Sequence, residues 1–118
     1  MQPRLNLVVL RSGNLDAAER FYATLGLRFG RHRHGRGPMH LCAEDAGLTF
    51  EVYPSREGQP STSGARLGFE VDDLAHVLKG LVEAGGRLIH TPRPSPWGIR
   101  AVVDDPDGHR VELIQADG

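Results

Sequence analysis

The sequence predicts an α+β protein in which the order β-α-β-β-β occurs twice within 118 residues. Three observations carry this prediction. Short apolar strands flank two amphipathic helical segments, a polar stretch rich in turn-forming residues divides the chain, and the same order of elements starts again after it. The predicted first module covers residues 1–54, the linker covers residues 55–64, and the second module covers residues 65–118.

The first predicted module opens with an apolar strand at residues 5–10 and a helix capped by Asn14. Gly26 stands where a helix-ending glycine is typical. The residues of the helix that share one apolar stripe are Leu15, Ala18, Phe21, Tyr22 and Leu25. Three strands then follow, at residues 27–34, 39–44 and 48–53.

The second predicted module repeats this order. Its first strand covers residues 66–71, and Asp72 or Asp73 caps a helix that ends at Gly85. The apolar stripe of this helix consists of Leu74, Val77, Leu78, Leu81 and Val82. The remaining predicted elements are strands at residues 87–90, 99–103 and 109–115, with a proline-rich loop at residues 91–98.

The two modules align residue by residue. Leu15 and Leu74 open the two helices, and the spacing between them also pairs Leu7 with Arg66 in the first strands. In the last strands, residues 50–52 match residues 111–113, so Glu51 corresponds to Glu112. The tripeptide Phe-Glu-Val at residues 50–52 recurs at residues 69–71, but the second copy lies in a first strand and is not equivalent.

The predicted sheet has one side covered by helices and one side free for chemistry. The free side is expected to carry Leu7, Val9, Arg66, Gly68, Glu51 and Glu112. Glutamates on a half-exposed sheet are commonly solvated, so the pattern alone leaves open whether the two carboxylates face a cavity or water.

Composition limits the kinds of partner. The formal net charge of −1 provides no basic surface for nucleic acid, and no partner of that kind is expected. The single cysteine, Cys42, excludes an internal disulfide and a thiolate zinc site. Residues 1–7 lack the long apolar run of a signal peptide or membrane span, so we expect a cytoplasmic protein without a membrane partner.

Four segments carry a family resemblance, and the phrases F-Y-x-x-L-G and D-P-D-G-x-x-V-E-L within them are specific in combination. The segments are residues 6–27, 67–74, 81–86 and 97–113. The sequence resembles the vicinal oxygen chelate superfamily, which includes glyoxalase I, bleomycin-resistance proteins and extradiol dioxygenases. The resemblance implies paired modules that form a curved mixed sheet around a cavity, with helices on the outer face. It also implies a homodimer whose cavities use modules of both chains.

The resemblance assigns the metal-ligand positions of the family's metalloenzymes to Leu7, Glu51, Arg66 and Glu112. Leucine has no donor atom, and a guanidinium has no free lone pair. These two residues argue against glyoxalase I or dioxygenase activity, and no cofactor is expected. If a divalent metal is present, the expected ligands are Glu51, Glu112 and His40.

A cation is still required beside two carboxylates that share a cavity, because like charges repel. We hypothesise that the guanidinium of Arg66 takes the place of the metal and pairs with Glu51 or Glu112. His32, His34 and His40 fall within nine positions, which invites a metal hypothesis. The preferred interpretation is that His32 and His34 are solvated and that only His40 lines the cavity.

The function predicted from these observations is metal-independent binding of a bulky, partly aromatic small molecule, such as an antibiotic. The expected ligand-binding residues are Leu7, Val9, His40, Glu51, Arg66, Trp97, Arg100 and Glu112. Trp97 is either a stacking platform for the ligand or a plug that packs its loop against the core. Arg100 faces either a ligand anion or a surface carboxylate. The alternative function is a divalent-metal-dependent lyase, isomerase or dioxygenase that uses Glu51, Glu112 and a recruited histidine.

Overall fold

A computed structural model of the chain describes residues 1–116. Within these residues the predicted β-α-β-β-β order occurs twice. The elements of the first half are β1 (Leu7–Ser12), α1 (Leu15–Ala23), β2 (Gly30–His32), β3 (His40–Asp45) and β4 (Leu48–Pro54). Those of the second half are β5 (Arg66–Glu70), α2 (Leu74–Glu83), β6 (Arg87–Ser95), β7 (Gly98–Asp104) and β8 (Arg110–Gln115).

The strands form two four-stranded mixed sheets. The first sheet has the order β1-β4-β3-β2, and the second has the matching order β5-β8-β7-β6. In each sheet the first and last strands of the module run parallel, and the other pairs run antiparallel. The α+β class and the paired modules are confirmed, although the strands form two sheets and not one.

The strand registers confirm the residue alignment of the two halves. Glu51 of β4 lies opposite Val9 of β1. Glu112 of β8 lies opposite Gly68 of β5. Both glutamates therefore occupy the same position in their respective sheets and point to the same face as their partners, because neighbouring side chains across a ladder share a face.

Both helices begin and end as their sequences predict. Asn14 and Asp73 each accept a hydrogen bond of 3.1 Å from the backbone N–H three residues further on. Gly26 and Gly85 adopt φ angles of +100° and +99°, where a side chain would be strained. The capping residue of the second helix is thus Asp73 and not Asp72.

The core lies between the helices and the inner faces of both sheets. The Tyr22 ring joins the halves, with its centroid 5.0 Å from that of Phe50 and 6.4 Å from that of Phe69. Val82 is exposed and does not belong to the buried stripe, which is a correction to the prediction. No helix within residues 1–116 combines the length and the apolar character needed to cross a bilayer.

The prediction of a proline-rich loop at residues 91–98 is wrong. Strand β6 continues through Ser95, and only a tight turn separates it from β7. The register of the β6–β7 ladder shifts at two places around His90. Strand β6 lies at the edge of its sheet, so one of its sides has no neighbouring strand to accept a hydrogen bond. Pro92 and Pro94, which lack an N–H, therefore cause little loss of ladder hydrogen bonding there.

Candidate functional site

The eight ligand-binding residues predicted from the sequence lie on two sheets. We call the side of each sheet that faces away from the helices its open face. The open face of the first sheet carries Leu7, Val9, His40 and Glu51. The open face of the second sheet carries Arg66, Arg100 and Glu112, and Trp97 lies in the turn between β6 and β7.

The carboxylate of Glu51 lies beside a buried histidine. The Nε2 atom of His40 is 3.2 Å from Oε2 of Glu51, and His40 is only 1% exposed. The imidazole stacks on the ring of Tyr53, with centroids 4.0 Å apart and planes inclined by 8°. Its Nδ1 atom lies 3.2 Å from the carbonyl oxygen of Pro38. The ring is therefore held by a stacking partner and by a backbone acceptor.

The Nε2 atom of His40 has no hydrogen-bond partner among residues 1–116, and within them it is the one buried side-chain polar atom of that kind. Its distance to Glu51 is that of an ion pair, but the alignment does not meet hydrogen-bond geometry. A hydrogen bond requires direction as well as proximity, so this contact is not a hydrogen bond. A buried nitrogen of this kind calls for an explanation, since leaving it unpaired costs free energy.

His34 completes a cluster with these two residues. Its ring centroid lies 5.1 Å from that of His40, and one ligand atom from each of His34, His40 and Glu51 falls within 4.8 Å of the others. His34 is exposed, as predicted, but it is grouped with a buried histidine and a carboxylate. Glu112 is not a member of this cluster.

The second glutamate is held by Arg100, for which the sequence left open either a ligand anion or a surface carboxylate as the partner. Arg100 contacts both oxygens of Glu112, at 3.0 Å from Nε to Oε1 and 3.1 Å from Nη2 to Oε2. The hydrogen bond from Arg100 is the main reason that the pKa of Glu112 lies below its usual value. Arg100 thus faces a carboxylate of its own chain.

Arg66 is a more distant neighbour of Glu112. Its Nε atom is 3.9 Å from Oε2 of Glu112, and its side chain is 57% exposed. Arg100, and not Arg66, therefore makes the close pair that we hypothesised for a cation substitute. Most of the Arg66 guanidinium remains available to another group.

Trp97 is 66% exposed at the tip of the β6–β7 hairpin. Its backbone N–H donates a hydrogen bond of 3.2 Å to the hydroxyl of Ser95, which shapes the turn. The alternative in which Trp97 packs its loop against the core is excluded by this exposure.

A cleft of about 220 Å³ lies between the two modules. Its lining includes Leu25, Leu48, Phe50, Phe69 and Val71, and none of the eight predicted site residues. The predicted residues therefore lie on the sides of the two sheets that face away from the helices, or in the β6–β7 turn, and do not line this cleft.

Sequence reasoning missed a buried polar network around Asp105. The hydroxyl of Tyr22 donates a hydrogen bond of 2.6 Å to Oδ2 of Asp105, and Nδ1 of His109 lies 2.7 Å from the same oxygen. Nε2 of His109 contacts the hydroxyl of Thr62 at 2.6 Å. Burial alone would raise the pKa of Asp105, but the hydrogen bonds from His109 and Tyr22 outweigh it and lower the pKa.

The residues of this network include Asp105 and His109 of the D-P-D-G-H segment, which was quoted above only as part of the family phrase. Asp105 opens the β7–β8 turn, and its Oδ1 atom accepts hydrogen bonds from the backbone N–H groups of Asp107 and His109. The network joins α1, the linker and the β7–β8 turn, so we assign it a structural role.

Comparison with known proteins gives consistent results. A family model described as the glyoxalase/bleomycin resistance protein/dioxygenase superfamily matches residues 4–113. A probable lactoylglutathione lyase of Vibrio parahaemolyticus is 27% identical, with 95% of this chain and 90% of that protein covered. The lactoylglutathione lyase of a serogroup A strain of Neisseria meningitidis is 28% identical over the same shares.

Solved structures show the same fold. TnmS3, an antibiotic binding protein from Streptomyces sp. CB03234, superimposes with a TM-score of 0.76 at 23% sequence identity, and 98% of each chain is covered. The oxidase ChaP-H2 gives a TM-score of 0.76 at 22% identity, covering 99% of this chain and 96% of the other. At such identities the similarity establishes the fold and not the activity.

Proposed function

Since this chain belongs to the glyoxalase/bleomycin resistance protein/dioxygenase superfamily, we propose that it binds a small organic molecule and that this binding requires no metal ion. The ion pair between Arg100 and Glu112 carries this proposal. A guanidinium that contacts both oxygens of a carboxylate satisfies its charge and competes with a metal for the same lone pairs.

The other positions that the resemblance assigns to the metal agree with this interpretation. Leu7 has no atom that can coordinate a metal, and Arg66 remains charged and has no free lone pair. Glu51 is thus the single carboxylate of the four positions without an arginine partner. These four positions therefore supply one free protein ligand, which is too few for a catalytic metal centre built on them, since such a centre normally has about three.

The exposed groups favour a ligand that is partly aromatic and carries an anionic group. Leu7 and Val9 offer an exposed apolar surface on β1, and the exposed indole of Trp97 suits stacking. Arg66 can donate to a carboxylate or phosphate, because its own contact with Glu112 is long. The fold similarity to an antibiotic binding protein is consistent with an organic ligand.

A homodimer would complete the binding site. Apolar residues on an open sheet face, such as Leu7 and Val9, are costly to leave in water. A second copy that covers this face would bring the first sheet of one chain toward the second sheet of the other. Sedimentation equilibrium tests this arrangement, and a monomer at all concentrations would contradict it.

The proposed function is tested by a thermal-shift screen with aromatic carboxylates and antibiotics in the presence of EDTA. Compounds that raise the melting temperature are then titrated calorimetrically. We expect Arg66→Met and Trp97→Ala to weaken binding by about tenfold, which corresponds to ~1.4 kcal/mol. Arg20→Met is the matched control, because Arg20 is an exposed arginine on α1. Equal losses in Arg66→Met and the control would contradict the proposal.

A second candidate is a divalent-metal-dependent lyase, isomerase or dioxygenase that uses Glu51 and His40. The grouping of these residues with His34 favours it, as do the lactoylglutathione lyases among the relatives. Turnover of lactoylglutathione that requires added Ni²⁺ or Zn²⁺ and is lost in Glu51→Gln would support this candidate over the first. Ligand binding in EDTA without such turnover would support the first.

A further inference from the structure

We propose that His34, His40 and Glu51 form a divalent transition-metal site at the edge of the first sheet. The site shares Glu51 with the family's metal positions, whereas His34 and His40 lie outside those positions. Strand β3 supplies His40, and the β2–β3 connection supplies His34. This inference goes beyond metal-independent ligand binding and names the complete ligand set that the second candidate would need, but it requires neither an organic ligand nor turnover.

The unpaired nitrogen of His40 is the first argument. When Nδ1 donates its hydrogen to the carbonyl of Pro38, the lone pair of the neutral ring lies on Nε2. That lone pair and the Glu51 carboxylate are then two acceptors 3.2 Å apart in a buried place. Two acceptors repel unless a cation lies near both, and the misaligned contact does not suit a shared proton. A metal ion bound by both Nε2 of His40 and the Glu51 carboxylate would remove this repulsion.

The surroundings of His40 are those of a metal ligand. Histidines that bind metals through one nitrogen usually donate the other N–H to a carbonyl or carboxylate, which fixes the orientation of the ring. The carbonyl of Pro38 meets this requirement, and the stacked Tyr53 ring restricts rotation of the imidazole. The ligand atom is therefore oriented before any ion arrives.

The distances allow a common centre after a small movement of one side chain. Zinc lies ~2.1 Å from its nitrogen and oxygen ligands, so two ligands of one ion are at most ~4.2 Å apart. The His40–Glu51 distance of 3.2 Å already satisfies this limit. The atoms of the full set lie within 4.8 Å, and His34 is exposed, so rotation of its side chain closes the remaining gap.

Two imidazoles and one carboxylate determine the class of metal. This set binds Zn²⁺, Co²⁺, Ni²⁺ or Fe²⁺ and leaves positions open for water or for a ligand. It does not suit Mg²⁺ or Ca²⁺, which prefer oxygen ligands. The charge of Glu51 offsets one positive charge of the ion, and exposure of His34 gives the ion a path from solvent.

The test is a titration of the full-length protein with Co²⁺ and then Zn²⁺, after treatment with a chelator and its removal. We expect one equivalent of Co²⁺ to bind, with visible absorption bands that report nitrogen and oxygen ligands, and Zn²⁺ to displace it. Glu51→Gln and His34→Ala are each expected to weaken binding by about tenfold or more. His76→Ala is the matched control, because His76 is an exposed histidine on α2, and binding should not change.

Binding with no stoichiometric endpoint, or equal affinity in His34→Ala, Glu51→Gln and the control, would overturn the proposal. Circular dichroism of each variant establishes that it is folded; Glu51→Gln and His34→Ala change partly or fully exposed positions and avoid the buried His40. The metal titration contains no organic ligand, and the ligand titration above contains EDTA. Failure of one proposal is therefore distinguishable from failure of the other.

Discussion

Arg100 and Glu112 form a two-point ion pair across the neighbouring strands β7 and β8, with contacts of 3.0 and 3.1 Å. We expect Arg100→Met to lower the free energy of unfolding at pH 7 by ~0.5–1 kcal/mol, because the pair is partly exposed to solvent. The hydrogen bond from Arg100 lowers the pKa of Glu112 in the folded state. The contribution of the pair is therefore present above the unfolded pKa of glutamate, about 4.3, and is lost as the pH falls through the folded value.

The measurement is urea unfolding of the two proteins at pH 7 and at pH 3. The difference between them should shrink at the lower pH. Arg66→Met serves as the comparison, because Nε of Arg66 lies 3.9 Å from Glu112, and its stability should differ less from that of the parent protein. A larger loss in Arg66→Met than in Arg100→Met would restore Arg66 as the principal partner of the carboxylate.

The Tyr22 hydroxyl supports the buried carboxylate of Asp105. Burial, together with the nearby Asp105 charge, raises the pKa of Tyr22 far above its ordinary value, so the hydroxyl stays protonated and donates. Tyr22→Phe leaves the carboxylate short of one donor and should lower the free energy of unfolding by ~1–3 kcal/mol. Denaturant titration measures the loss. Tyr53→Phe is the control, since no hydrogen bond of the Tyr53 hydroxyl is found within residues 1–116. If Tyr53→Phe lowered the free energy of unfolding as much as Tyr22→Phe, the support of Asp105 by the Tyr22 hydroxyl would be contradicted.

Two glycines should respond in opposite ways to the same substitution. A Cβ atom at Gly86 would lie 2.7 Å from the backbone oxygen of Leu81 and 2.8 Å from the Phe21 ring, so Gly86→Ala should cost ~1–3 kcal/mol. A Cβ atom at Gly68 meets nothing within 4 Å, and Gly68→Ala should leave stability unchanged or raise it by up to ~1 kcal/mol. Thermal unfolding of both variants checks the pair. Equal melting temperatures of the two variants would show that the neighbours of Gly86 accommodate a Cβ atom at little cost in stability.

Local patterns predicted most of the fold because each pattern has a local cause. The side-chain oxygens of Asn14 and Asp73 satisfy helix N–H groups three residues away, and glycines end both helices. The proline-rich stretch at residues 91–98 was predicted as a loop because proline lacks an N–H. Whether that loss matters depends on the strand's place in the sheet, and an edge position is a property of the whole fold.

The candidate site was less predictable, because its contacts depend on register and on distant segments. The alignment of the halves identified Glu51 and Glu112 as equivalent, but it did not show that Arg100 pairs with Glu112 while His40 lies beside Glu51. Glu112 lies opposite Val102, and Arg100 is two residues from Val102 on the same face of β7, so a long side chain reaches the carboxylate diagonally. Tyr22 and Asp105 are 83 residues apart, and no local pattern connects them.

Trp97 provides the most direct optical report on the proposed binding site, because it is the single tryptophan of the chain. Its side chain is exposed at the β6–β7 turn, so its emission in the free monomer should resemble that of an indole in water. Stacking of an aromatic ligand, or coverage by a second chain, removes the indole from solvent and should shift the emission to shorter wavelength or quench it. Trp97→Ala should change the free energy of unfolding by less than about 0.5 kcal/mol, since the residue is largely exposed.

Dilution separates ligand stacking from subunit association as causes of a change in Trp97 emission. A change that depends on protein concentration reports association, and one that depends on added aromatic compound reports binding. Emission that stays constant under both titrations would place Trp97 outside the binding site and the subunit interface.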